Sequence, residues 1–172
     1  MHAQTHLLSG WCLANWLNVG PRERLFCMIV SVCADIDAIS IVGGQEAYWA
    51  YHHVVGHNIL VGLVVAGVLA ALSRHRIKGL LAYLGLFHVH LLMDLFGSGP
   101  KWSVAYFWPF SRWAAETTYA WEFRSWQNFA AAGLSFLWTI WIVYRRKRTP
   151  LEVLMPSLDR KFVALTQRKT KQ

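Results

Sequence analysis

The chain has 172 residues, of which 55% are hydrophobic, with a mean hydropathy of +0.30 and a net charge of +8. That length suits one domain with a substantial core, and the apolar content exceeds what a soluble domain of this size requires. The three cysteines, Cys12, Cys27 and Cys33, lack CxxC spacing, which excludes a disulfide framework or a zinc ribbon and leaves them as small buried apolar side chains.

In chain order, the opening MHAQTHLLSG carries no basic stretch and no cleavage signal, so a removable signal peptide is not expected. HLLSGWCLANWLNV, residues 6–19, predicts a short apolar helix that stops at Gly20-Pro21. Arg22 and Arg24 lead into a second apolar run that finishes in Asp35 and Asp37. Residues 38–51 are mixed, with a turn expected at Gly43-Gly44. YHHVVGHN then enters an uninterrupted apolar run from Ile59 to Leu72, closed by RHRIK (74–78). Gly79 to Phe96 predicts a further apolar helix carrying His88, His90 and Asp94. Residues 101–126 hold five of the ten tryptophans among scattered charges, as an interfacial segment does. Phe129 to Tyr144 is the last apolar helix, closed by RRKR (145–148).

These runs are shorter than the ~20 residues that a spanning helix needs, but together they are apolar all round. The charge layout favours a bilayer. With the loops at 22–24, 74–78 and 145–148 and the tail on one side, 14 of the 17 Lys and Arg share that side, leaving Lys101, Arg112 and Arg124 opposite. The positive-inside rule makes the basic side cytoplasmic. The expected fold is therefore all-α: an integral membrane bundle of four to five short apolar helices plus an interfacial aromatic segment. Residues 1–148 form the membrane-embedded domain and 149–172 a basic, loosely ordered cytoplasmic tail. The expected location is a multi-pass one in the inner (plasma) membrane. The basic tail is expected to meet anionic lipid, and no nucleic-acid partner is expected.

Alternating the helices puts His6, Asp35, Asp37, His52, His53, His57, His90 and Asp94 at the opposite, non-cytoplasmic ends. His90 and Asp94 are i and i+4, so an imidazole and a carboxylate project from one helix face and can grip one ion. A carboxylate in an apolar helix is costly unless a metal or proton partner compensates it. Asp35 and Asp37 read either as a ligand with an orienting or bridging neighbour, or as a solvated helix end making turn bonds. His53 and His57 have the i, i+4 spacing, whereas His52 and His57 converge only if the helix begins after His52. His88 points away from His90, toward a neighbouring helix. A His/Asp donor set suits zinc, manganese or iron.

Several motifs resemble the membrane-bound metal-dependent hydrolases, the YdjM-like family of LexA-regulated inner-membrane proteins. They are Thr5-His6, Asp35-Ile36-Asp37, His52-His53-Val54-Val55-Gly56-His57-Asn58, His90-Leu91-Leu92-Met93-Asp94 and Trp108-Pro109-Phe110-Ser111. The third motif departs from the family pattern, with His53 for Arg, Gly56 for Thr and Asn58 for Ser. The resemblance favours His52 over His53 and implies a divalent metal, zinc foremost, held by His6, Asp35, Asp37, His52, His57, His90 and Asp94.

The implied function is hydrolysis of an ester or phosphoester, small or lipid-like, by a metal-activated water. One of Asp35 and Asp37 is the expected proton acceptor. Trp102, Trp108 and Trp113 are expected to form an apolar lip at headgroup level. No GxSxG elbow points to a serine nucleophile, and no GxxxxGK loop to a phosphate cradle. The alternatives are a membrane protein that uses the His/Asp cluster for metal or proton transfer, and a structural membrane subunit.

Overall fold

The computed structural model describes residues 1–169, and these are helical wherever they are regular. α1 (Ala3–Ala14) is followed by Gly20 and by Pro21 at the first turn of α2 (Pro21–Val30), where a missing N–H costs nothing. The second apolar run does not continue as one helix. It bends by 45° into a 3-10 segment, Cys33–Gly43, which carries Asp35 and Asp37. Gly44, at φ +97°, makes the expected turn into α3 (Gln45–Tyr51).

Residues 52–58 form an irregular connection to α4 (Ile59–Ala71), whose start is capped by the Asn58 side chain accepting from Val61 N. α5 (Arg76–Gly97) is the longest helix, and it leads into an irregular aromatic stretch up to α6 (Trp126–Arg146). Within that stretch one isolated bridge pairs Val104 with Ala115.

The core lies between α2, α4 and α5 and includes Phe26, Val30, Ala66, Leu69, Tyr83, Phe87 and Leu91. Two glycines set the closeness of packing. A Cβ on Gly62 would lie 2.7 Å from the Phe87 ring, so α4 rests directly on α5. A Cβ on Gly10 would lie 2.3 Å from Ser31 Oγ, so α1 crosses the end of α2 at near-backbone contact. That crossing brings His6 to the end of the bundle where Asp94 sits. Asn128 seals the same end by donating to Gly97 O at 2.7 Å and Phe123 O at 2.8 Å while accepting from Trp121 Nε1.

At the other end, the Arg74 amide reaches Glu23, and Arg24 grips Glu152 at 2.6 and 2.7 Å. Trp11 Nε1 donates to the same carboxylate. The segment after α6 is thus anchored, and instead of a loosely ordered tail it carries a short 3-10 turn (Pro150–Val153) and a helix, α7 (Pro156–Lys169). The last part of the expected tail, residues 170–172, lies outside the described residues.

Among the described residues, α5 is the one helix long and apolar enough to cross a membrane, and the bent α2 pair counts as a second if it is one broken span. The all-α expectation holds among the described residues, while of the four to five short apolar helices expected in the membrane only these one or two have the length and composition of a span. α1 with 12 residues and α4 with 13 reach only about 18–20 Å, against ~30 Å of hydrocarbon. Many large apolar side chains nonetheless face outward, among them Leu63, Val64, Leu81, Leu92, Leu134 and Leu137.

Candidate metal centre

Four donor atoms meet between the 3-10 segment, the 52–58 connection and α5. They belong to Asp35, His57, His90 and Asp94 and lie within 4.8 Å of one another. His90 Nε2 is 3.0 Å from Asp94 Oδ2, and His57 Nε2 is 3.2 Å from both. Asp35 Oδ1 stands 3.7 Å from His90 Nε2 and 3.8 Å from His57 Nε2. Donors bound ~2.0–2.1 Å from one tetrahedral ion lie about 3.3 Å apart, close to these separations.

The ring orientations are fixed from behind. His90 Nδ1 donates to Ser31 O at 2.8 Å, a carbonyl free for this because α2 ends at Val30. His90 therefore presents the lone pair of Nε2 to the cluster. His57 Nδ1 donates to Asp37 Oδ2 at 2.9 Å, which likewise turns Nε2 inward. A carboxylate behind a histidine is the usual support for a metal-bound imidazole.

Asp37 is the more occupied of the two paired carboxylates. Its Oδ2 also accepts from the amides of His53 (3.1 Å) and Gly56 (2.9 Å), and its Oδ1 accepts from His52 Nδ1 at 2.6 Å. Four donors thus hold it, three on Oδ2 and one on Oδ1. The group Asp37, His52 and His57 also has ligand-like spacing, but its short contacts are ordinary hydrogen bonds. Asp35 is the reverse case: its Oδ2 is buried without a hydrogen-bond partner.

His6 Nε2 reaches the other oxygen of Asp94 at 3.1 Å, and its ring lies 4.0 Å from that of His90. The Met1 amino group and Ser98 Oγ also contact Asp94 Oδ1. His53, discounted in the sequence, lies fully inside with Nε2 3.9 Å from Asp94 Oδ2. Its i, i+4 spacing from His57 is a true signal for the wrong reason. Residues 52–58 are not helical, and His53 reaches the cluster through a left-handed backbone at φ +67°. His52 points elsewhere, onto the walls of two cavities. His88 bonds Leu84 O and the Tyr106 hydroxyl, away from the cluster.

All seven residues expected as ligands thus gather at one end of the bundle, in three roles. Asp35, His57, His90 and Asp94 converge, His6 backs Asp94, and Asp37 with His52 forms the support. Nδ1 of His6, Nδ1 of His53 and Oδ2 of Asp35 are buried without hydrogen-bond partners. Of these, only the Asp35 oxygen belongs to the converging set, and that set could hold a metal ion.

The protein itself supplies positive charge within the cluster. Burial alone would lower the His57 pKa, but hydrogen bonds to Asp37 and Asp94 outweigh it and raise the value to about 9. His53 is pushed down instead, by burial and by the neighbouring His57.

A cavity of about 200 Å³ opens beside the cluster, lined by Asp35, Tyr48, His52, His53, Asp94 and Trp102 among others. An outer cavity of about 330 Å³ shares His52 and Trp102 and adds Trp49, Lys101 and Ser103. Trp102 lies against Trp49, with ring centroids 4.5 Å apart and the planes tilted, and lines both cavities.

A family model described as YdjM inner membrane protein matches residues 1–163. Comparison with curated proteins and with solved structures gives no match.

Proposed function

The chain belongs to the YdjM inner membrane protein family, and from that premise we propose that it is a metal-dependent hydrolase of an ester or phosphoester, small or lipid-like. One observation carries the reading: Asp35, His57, His90 and Asp94 converge beside a cavity, with one oxygen of Asp35 unengaged.

In this reading Asp35, His57, His90 and Asp94 hold a divalent ion, zinc foremost, with manganese and iron compatible with the same nitrogen and carboxylate donors. The bound ion supplies acidity to a water molecule and polarises the ester oxygen. Asp35 Oδ2 takes the proton, since it has no hydrogen-bond partner whereas both oxygens of Asp37 are engaged. Asp37 positions His57, and His52, held at Nδ1 by Asp37, presents its other ring nitrogen to the substrate cavities. Trp102 and Trp49 offer apolar walls to the alcohol portion, and Trp108 and Trp113, both exposed, extend that surface outward.

The membrane arrangement belongs to the same proposal. The Arg22/Arg24, 74–78 and 145–148 segments lie at the end opposite the cluster, so the cytoplasm faces the basic end and the cluster faces away from it.

Elemental analysis of the detergent-purified protein beside Asp94→Ala tests the metal. About one ion per chain, lost in the variant, is expected. Release of alcohol from phosphoester and carboxylester panels by the loaded protein, absent from Asp35→Asn supplied with enough metal to match the wild-type occupancy, then tests the chemistry. Absence of metal from both proteins, with the variant equally or more stable, overturns the reading and favours a structural subunit.

A further inference from the structure

The described part of the tail, which the proposed chemistry does not use, has a surface of its own. On α7, Asp159 and Val163 are the buried positions: Asp159 accepts the Thr149 amide at 2.6 Å, and the helix packs on the preceding 3-10 turn and on α6. Leu158, Phe162 and Leu165 follow the spacing i, i+4, i+7 and line an adjacent face left exposed among the described residues, with Phe162 49% and Leu165 59% exposed. Leu154 and Met155, just before the helix, extend the stripe and are exposed as well. Arg160 and Lys161 are exposed on the same helix, and RRKR (145–148) lies at the end of α6, against which α7 packs.

The surroundings mark a level. Trp16, Trp141 and Tyr144 are exposed at this end of the bundle, Trp16 meets Trp138 edge-on, and Trp16 and Trp141 share a pocket wall with Arg146. Exposed tryptophan and tyrosine beside arginine is the composition of a headgroup boundary.

We propose that α7 lies flat in the membrane interface at the basic end of the bundle, with Leu158, Phe162 and Leu165 inserted below the headgroups of an anionic bilayer. Charge complementarity selects that occupant. An apolar stripe flanked by Lys161 and set beside a run of four basic residues matches lipid phosphates, whereas the same run on a second copy would repel itself. The anchoring of the tail through Arg24 and Glu152 fixes the depth, because it ties the segment before α7 to α2. The proposal rests on family membership and not on the hydrolase reading.

The test uses the full chain in vesicles of mixed phosphatidylglycerol and phosphatidylethanolamine. Nitroxide labels are placed by Phe162→Cys, Leu165→Cys and Arg160→Cys, with the wild-type chain giving the background from its native cysteines. Collision rates with oxygen and with a water-soluble nickel chelate are then compared. The proposal expects a several-fold higher oxygen-to-chelate ratio at 162 and 165 than at 160, diminished in vesicles of neutral lipid alone. Chelate access at 162 equal to that at 160 overturns it. So does protection of 162 from both reagents with spin–spin broadening between chains, since that pattern assigns the stripe to a second copy.

Discussion

Asp37 Oδ2 accepts a 2.9 Å hydrogen bond from Nδ1 of His57, and that bond decides which His57 nitrogen faces the cluster. Asp37→Asn keeps the shape but supplies one acceptor oxygen to a site where four donors converge. If the proposed site binds zinc, its affinity is expected to fall by about 10–100-fold, the usual cost of losing a carboxylate behind a metal-bound histidine. Competition against a chromophoric chelator measures it, and an unchanged affinity would remove Asp37 from its positioning role.

The charge state of His57 gives a pH signature in the metal-free protein. Its value is raised from 6.5 to about 9, so the folded state holds a proton that the unfolded chain releases earlier. That contribution to stability is full below pH ~6.5 and is lost as pH rises through ~9. The melting temperature of the chelator-treated protein should fall across this window. The zinc-loaded protein should show a weaker fall, because a ligating His57 carries no proton on Nε2.

At Gly56 a Cβ would lie 2.0 Å from the Ala34 carbonyl oxygen and 3.1 Å from the Asp37 carboxyl carbon. Gly56→Ala therefore has to push the 52–58 connection off the 3-10 segment and stretch the Gly56 amide away from Asp37. A loss of at least about 1–3 kcal/mol is expected in thermal unfolding, together with weaker zinc binding. Wild-type behaviour in both measurements would contradict the packing of this connection.

Arg24 and Glu152 form an ion pair almost wholly withdrawn from solvent. Removing one partner strands the other, so Arg24→Met alone should cost about 3–5 kcal/mol, and Arg24→Met with Glu152→Leu should recover much of it. Unfolding of both variants in the same detergent reads the difference. The double variant also frees the segment before α7.

Much of the site is legible before any coordinates, because helix spacing is a strong constraint. His90 and Asp94 on one face of α5, and a carboxylate pair at the end of an apolar run, place the donors at one end of the bundle. The division of labour is not legible. Asp35 and Asp37 are the same residue type two positions apart, and only the count of donors around Asp37 separates support from ligand. His53 has the right spacing from His57 but is set aside by the resemblance, and what carries it inward is a left-handed turn that spacing does not encode. The break of the second apolar run after Val30 is also invisible in composition, yet it frees the Ser31 carbonyl that orients His90. In the tail, attention to charge hides the three-residue apolar stripe of α7, a 3.6-period signal within a polar background.

The four converging donors come from residues 35, 57, 90 and 94, and no short stretch supplies more than the His90–Asp94 pair. An ion held there staples three separate segments, with His6 of α1 leaning on the same carboxylate. A chain whose α5 has not yet docked offers no complete coordination set, so under the proposed metal reading uptake of the ion would double as a check that the bundle has closed. Cells short of the ion would then accumulate less of the protein, because incompletely closed chains remain open to membrane proteases.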